Sequence, residues 1–140
     1  MKKKIAIIGA GIGGLTLANL LQINSEFEFI IYEKRENLNL EEGFGIQLAV
    51  NSVSVLNKIN FNSLSKSEVY NPEKLDFYSN KNKICDLDLT QFNSKMEKYT
   101  TLKRSTLIKF LRDRLFSNTI RFNKTIERVE ENQNVIKINF

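Results

Sequence analysis

Six residues near the amino terminus, Gly9-Ala10-Gly11-Ile12-Gly13-Gly14, constrain this chain more than any other feature of its sequence. They follow the apolar run Ile5-Ala6-Ile7-Ile8, which reads as a strand buried on both faces. After them, Leu15 to Ile23 predicts a helix, with Leu17, Leu20 and Leu21 at i, i+3 and i+4 on its packed face. A second strand-like run, Phe27 to Tyr32, closes on Glu33-Lys34-Arg35. Strand, glycine turn, helix and strand in that order make a βαβ unit, with parallel strands and a right-handed crossover.

Each glycine has a task in such a turn. Gly9 allows the sharp exit from the first strand, Gly11 lets a pyrophosphate approach bare main chain, and Gly14 lets the helix pack closely. With Ile12 and Gly13 they open a helix whose first amides lack internal acceptors and carry partial positive charge. Glu33, at the end of the second strand, can accept hydrogen bonds from both hydroxyls of an adenosine ribose. The combination predicts a site for an ADP-containing dinucleotide. Those amides are expected to be open and the acid to face the crevice. Glu33 disfavours a 2′-phosphate there, because two anions repel. Lys34 and Arg35 either line the adenine side or face water. The competing reading is an ordinary glycine turn with a solvated Glu33.

Further along, Gly43 to Leu48 reads as a loop entering a short strand, and Asn51 or Ser52 as the cap of a helix reaching Ile59. Residues 60–71 are mostly polar. Leu75 to Tyr78 and Ile84 to Leu89 flank Ser79-Asn80-Lys81-Asn82-Lys83 as a hairpin. Ser105 is expected to cap a helix to Phe116 with Ile108, Leu111 and Leu115 on one face. Strands are expected at Ile120 to Phe122, Ile126 to Glu130 and Val135 to Phe140, with Glu131 to Asn134 turning between the last two. No internal repeat is present.

The chain has no histidine, so it contains no Ser-His-Asp triad, Cys-His pair, His-ligated metal or histidine base. A lone cysteine, Cys85, excludes an internal disulfide and any CxxC site; it reads as packing in a strand. Asp86 and Asp88, on one strand face, and the pair Glu41-Glu42 read as solvated surface rather than acid–base machinery. The net charge of +5 is spread among acids without a basic stripe, which argues against nucleic-acid binding. Lys2-Lys3-Lys4 before an apolar stretch has the outline of a secretory signal. However, Gly9, Gly11, Gly13 and Gly14 weaken the helix such a signal prefers, and no small-x-small cleavage site ends the stretch. No transmembrane segment and a cytoplasmic location are expected.

Three blocks resemble the amino-terminal part of the FAD-dependent aromatic-ring monooxygenases, the flavoproteins typified by para-hydroxybenzoate and salicylate hydroxylases. The first runs from Ile5 through the glycine loop to Leu15 and resumes at Tyr32-Glu33-Lys34. The second is Gly43-Phe44-Gly45-Ile46-Gln47-Leu48-Ala49-Val50-Asn51, similar to the family's segment beside the flavin. The third is Lys103-Arg104-Ser105-Thr106-Leu107, opening a helix. The first block is shared with many flavoproteins; the second is the discriminating one.

The resemblance implies an α/β fold: a Rossmann-like FAD/NAD(P)-binding domain of the glutathione-reductase type, with the start of a β-rich substrate domain. Residues 1–140 are then the amino-terminal FAD-binding region, and residues 70–100 belong to the substrate-domain sheet. Gly9, Gly11, Ile12, Gly13 and Gly14 form the pyrophosphate loop, and Glu33 holds the ribose with Lys34 beside it. Gly45 and Gln47 lie near the flavin, and Arg104 on the ribityl–pyrophosphate part. Two bland readings stand beside these: Gln47 as a polar residue on a wet strand face, and Arg104 as an exposed charge before a helix N-terminus. A cation there is unfavourable unless an anion is near.

The resemblance further implies FAD as cofactor, NADH or NADPH as transient reductant, and dioxygen and a small aromatic or similar molecule as substrates. It names no catalytic side chain. The family's later Asp-Gly and Gly-Asp-Ala segments are not in this sequence. The expectation is therefore a fragment, with a carboxy-terminal partner fragment supplying the rest. The alternatives are another FAD oxidoreductase, an oxidase or reductase, or a non-catalytic dinucleotide-binding remnant.

Overall fold

Residues 2–38, 40, 43–133 and 135–140 are described in the computed structural model. In chain order its elements are β1 (Lys3–Ile8), α1 (Ile12–Gln22), β2 (Phe27–Tyr32), β3 (Gly45–Leu48), α2 (Val50–Asn57), β4 (Val69–Tyr70), β5 (Lys74–Ser79), β6 (Asn82–Asp88), β7 (Thr100–Lys103), α3 (Arg104–Arg112), β8 (Ile120–Arg121), β9 (Arg128–Asn132) and β10 (Val135–Asn139). The chain divides into two units: residues 1–39 with 111–140, and residues 40–110.

In the first unit, β1 pairs in parallel with β2, Lys3 opposite Phe27 through Ile8 opposite Tyr32. β2 pairs in parallel with β8, Ile31 opposite Ile120. The sheet order is β1-β2-β8. Ile7 and Ile31, on the face covered by α1, are buried. The expectation of a first strand buried on both faces fails, because Ile8 is 53% exposed. The face carrying Ala6, Ile8, Ile30 and Tyr32 opens on a groove of about 1040 Å³, whose other wall includes Val129, Val135 and Ile136 of β9 and β10. The Tyr32 and Phe140 rings meet at 4.5 Å.

α1 begins at Ile12, ahead of the expected Leu15, with Gly11 as its N-cap. Its buried residues are Leu15, Ala18 and Asn19. The predicted face is corrected: Leu17 is 45% exposed. Gly14 sets this rotation, because it brings the helix backbone against β1. Asn19 is satisfied despite burial, its Nδ2 donating to the carbonyls of Leu15 and Leu111, each at 2.8 Å. Gln22 donates to the Arg114 carbonyl and accepts from the Phe116 amide, both at 2.8 Å. These bonds tie α1 to the segment that feeds β8.

In the second unit, β7 lies between β3 and β4, antiparallel to both. Strand β7 was not expected from the sequence. The edge-on pair Phe61–Phe110, with ring centroids 5.6 Å apart, joins Val53, Leu56 and Leu102 in the core. Phe61 sits in a short 3-10 turn, Phe61–Ser63, within the stretch read as mostly polar. Both cap expectations are corrected. α2 is capped by Ala49 without a side-chain bond, so Asn51 and Ser52 lie inside it. α3 starts at Arg104, which places Ser105 inside its first turn.

β5 and β6 form the expected hairpin, turning through Asn80 and Lys81 at φ 47° and 72°, the conformation a two-residue turn requires. Cys85 is exposed on it rather than packed. Asp76 and Asp86 lie directly opposite each other and are bridged by Lys74, 2.9 Å from Asp86, and Lys83, 2.8 Å from Asp76. Hydrogen bonds from Lys83 and then Lys74 lower the Asp86 pKa to about 2. Asp88 accepts from the Thr90 amide at 2.9 Å. Glu41, Glu42 and Asn134 lie outside the described residues.

Candidate dinucleotide site

The glycine loop is held to the end of β2 by two bonds. Gly9 N–H donates to the Tyr32 carbonyl at 2.8 Å, extending the strand ladder by one step. Ala10 N–H then donates to Glu33 Oε2 at 2.7 Å. Gly9 takes φ +95°, where a side chain would be strained, and this turns the chain from β1 into α1. At Gly14 the need is for space: a Cβ there would fall 2.1 Å from the Gly9 carbonyl oxygen and 3.2 Å from Ile7 Cγ2. At Gly11 and Gly13, by contrast, a Cβ would meet nothing within 4 Å. The loop therefore has a packed side and an open side.

The open side carries the donors. No acceptor from the described residues reaches the amides of Gly11, Ile12, Gly13 or Gly14, and no side chain caps the helix. A helix start in this state attracts an anion. Of the loop amides, the protein itself takes those of Gly9 and Ala10.

Glu33 is bonded through both its main chain and its side chain. Its amide donates to the Arg121 carbonyl and its own carbonyl accepts from Lys124, each at 2.9 Å. Its carboxylate receives Ala10 on Oε2 and the Arg35 amide on Oε1, the latter at 3.0 Å. Partial burial works against its charge. The hydrogen bonds from Arg35 and Ala10, the Arg35 charge and the Lys34 amide together outweigh it, so its pKa lies below the ordinary 4.5. A carboxylate oxygen can accept more than one hydrogen bond, so these two amides leave capacity for further donors. Lys34 is exposed beside it.

The other predicted residues lie in the second unit. Gly45 opposes Lys103, and Gln47 opposes Thr101. The Arg104 amide donates to the Phe44 carbonyl at 3.1 Å, which fixes the start of α3 against this strand. Gly43 opens the second sequence block but was given no role of its own there. It takes φ +129°, and a Cβ there would fall 2.9 Å from Arg104 Cδ and 3.2 Å from Arg104 Cβ. The Arg104 stem thus crosses the bare Gly43 main chain. The glycines on either side of Phe44 were the available signal. Ala10 left no signal, because a main-chain donor carries no residue type.

The sequence pattern of the NAD(P)-binding Rossmann-like domain family matches residues 7–40. An FAD-dependent monooxygenase of Gibberella zeae, dpfgE, is 28% identical over 131 residues, covering 91% of this chain and 28% of that protein. The monooxygenase penA of Penicillium thymicola is 46% identical over 57 residues, 31% of this chain and 13% of that protein. The crystal structure of Klebsiella pneumoniae HpxO, complexed with FAD and uric acid, superimposes with a TM-score of 0.78 at 20% identity, covering 98% of this chain and 35% of that one. The chain is similar in sequence to FAD-dependent monooxygenases, and its fold is mixed α/β and Rossmann-like. It spans about a third or less of the length of these proteins.

Proposed function

We propose that this chain, similar in sequence to the amino-terminal part of FAD-dependent monooxygenases, is the FAD-binding segment of such an enzyme. The observation that carries the proposal is the open row of amides from Gly11 to Gly14 beside the Glu33 carboxylate. The donor set suits a diphosphate, and the bare space over Gly11 and Gly13 suits its close approach.

In this reading Gly9 and Gly14 shape the loop, and Gly11, Ile12 and Gly13 present amides to the phosphate oxygens. Glu33 accepts the adenosine ribose hydroxyls with Lys34 at the adenine side. Arg104, its stem steered by Gly43, places a cation toward the ribityl–pyrophosphate part, while Gly45 and Gln47 lie at the flavin side. Residues 70–100 contribute to the sheet that faces substrate. When bound, FAD would supply the redox chemistry, carrying two electrons from NADH or NADPH to dioxygen, so that one oxygen atom would enter a small aromatic or similar molecule and the other, with a proton from solvent, would leave as water. The protein's part is to bind, orient and exclude. No side chain is assigned as catalytic.

The rest of the flavoprotein, whether on the same chain or as a carboxy-terminal partner fragment, completes the substrate pocket. The cytoplasm is the proposed location; among the described residues no helix is long and apolar enough to cross a membrane.

Purification of the chain with added FAD tests the proposal. Retained flavin absorbance is expected, and Gly11→Val should abolish it by steric block. A folded chain that takes up no FAD would point instead to a dinucleotide-binding remnant.

A further inference from the structure

We propose that Tyr99 is a positioning residue for Gln47, turning the Gln47 amide so that its N–H groups face a carbonyl-type oxygen of the bound cofactor; the identity of that cofactor rests on the FAD reading above. Gln47 lies opposite Thr101 in the antiparallel pair of β3 and β7. Tyr99 immediately precedes β7, two residues before Thr101. The Tyr99 hydroxyl donates to Gln47 Oε1 at 2.9 Å.

Tyr99 is itself held. Its amide donates to Asn93 Oδ1 at 2.8 Å, and its carbonyl accepts from Asn71 Nδ2 at 3.1 Å. The same Asn71 amide bonds Thr100 Oγ1 at 2.8 Å, and Thr100 is only 3% exposed. The phenol therefore reaches Gln47 from a main chain fixed on both sides.

The consequence is chemical. Free on a strand surface, an amide side chain presents either its oxygen or its nitrogen to a ligand. With the oxygen committed to Tyr99, the nitrogen faces away from the phenol as a double donor. Among the described residues no acceptor meets it. On the same face the preceding position is Gly45, so no side chain crowds Gln47 from that direction. An oriented donor with open space beside it selects acceptor groups, such as the carbonyl oxygens of a flavin ring, and rejects donors.

Two readouts test this. In the FAD-free chain, the Gln47 side-chain amide resonances in a nitrogen–proton correlation spectrum should shift and narrow in Tyr99→Phe, which keeps the ring and removes only the hydroxyl. Unchanged resonances overturn the positioning. In FAD titrations followed by flavin fluorescence, Tyr99→Phe should weaken binding about 3-fold and Gln47→Ala about 10-fold, the range of one hydrogen bond. The double variant should match Gln47→Ala alone. A Tyr99→Phe loss that persists in the Gln47→Ala background overturns the role through Gln47. A wild-type chain that takes no FAD overturns the cofactor reading and the donor role with it, whereas the resonances still decide the pairing.

Discussion

The Glu33 carboxylate accepts the Ala10 amide at 2.7 Å, joining the tip of β2 to the turn that leaves β1. A residue expected only to hold a ligand thus also braces the loop that holds it. The same carboxylate bonds the Arg35 amide, so its rotamer is set before any ligand arrives. This preorganisation lowers the entropy lost when a ribose docks.

Removal of this brace should be visible without ligand. Ala10 is buried, 4% exposed, so Glu33→Ala leaves a buried N–H without an acceptor. The expected loss is about 1–3 kcal/mol in urea unfolding. Glu33→Gln, which keeps an acceptor oxygen, should lose less. Both should weaken FAD binding.

The pH dependence follows from the sign of the Glu33 shift. Its folded pKa lies below the ordinary 4.5, so the folded state favours the carboxylate. That stability is fully present above the ordinary value and is lost as pH falls through the lower, folded value. Unfolding curves of wild type and Glu33→Gln should converge as pH drops below 4.5 and stay apart at neutral pH.

The two sides of the glycine loop should respond differently to a single methyl group. Gly14→Ala places a Cβ 2.1 Å from the Gly9 carbonyl oxygen, and the resulting overpacking should cost about 1–3 kcal/mol by denaturant unfolding. Gly11→Ala places it in open space and should cost under about 1 kcal/mol. If the second change weakens FAD binding more than the first, the open side is the ligand side.

Gly43→Ala tests the placement of Arg104. Strain at φ +129° should cost about 1–3 kcal/mol, and the added Cβ displaces the Arg104 stem. FAD affinity should fall in Gly43→Ala and in Arg104→Ala. If Gly43 acts through Arg104, the double variant should bind no worse than Arg104→Ala. Equal additional losses in both backgrounds would show that the glycine acts by another route.

The βαβ unit was legible because its signals are local. β2 was read with the bounds it has, Phe27–Tyr32, and the hairpin of β5 and β6 followed from apolar runs around a polar turn. The caps were misread because Asn51, Ser52 and Ser105 are good cap types, yet tertiary pairing of β3 with β7 started each helix earlier. β7 itself, Thr100–Lys103, has too short a pattern to be seen.

The sequence by itself determined the glycine turn, the acid after the second strand and their order, since backbone freedom and charge are properties of residue types. Only the tertiary structure decided that Leu15 and Ala18, not Leu17, face the sheet, that Ala10 is claimed by Glu33, and that Tyr99 holds Gln47. Those relationships join residues distant along the chain, and their geometry comes from strand register and helix rotation, which are set by packing.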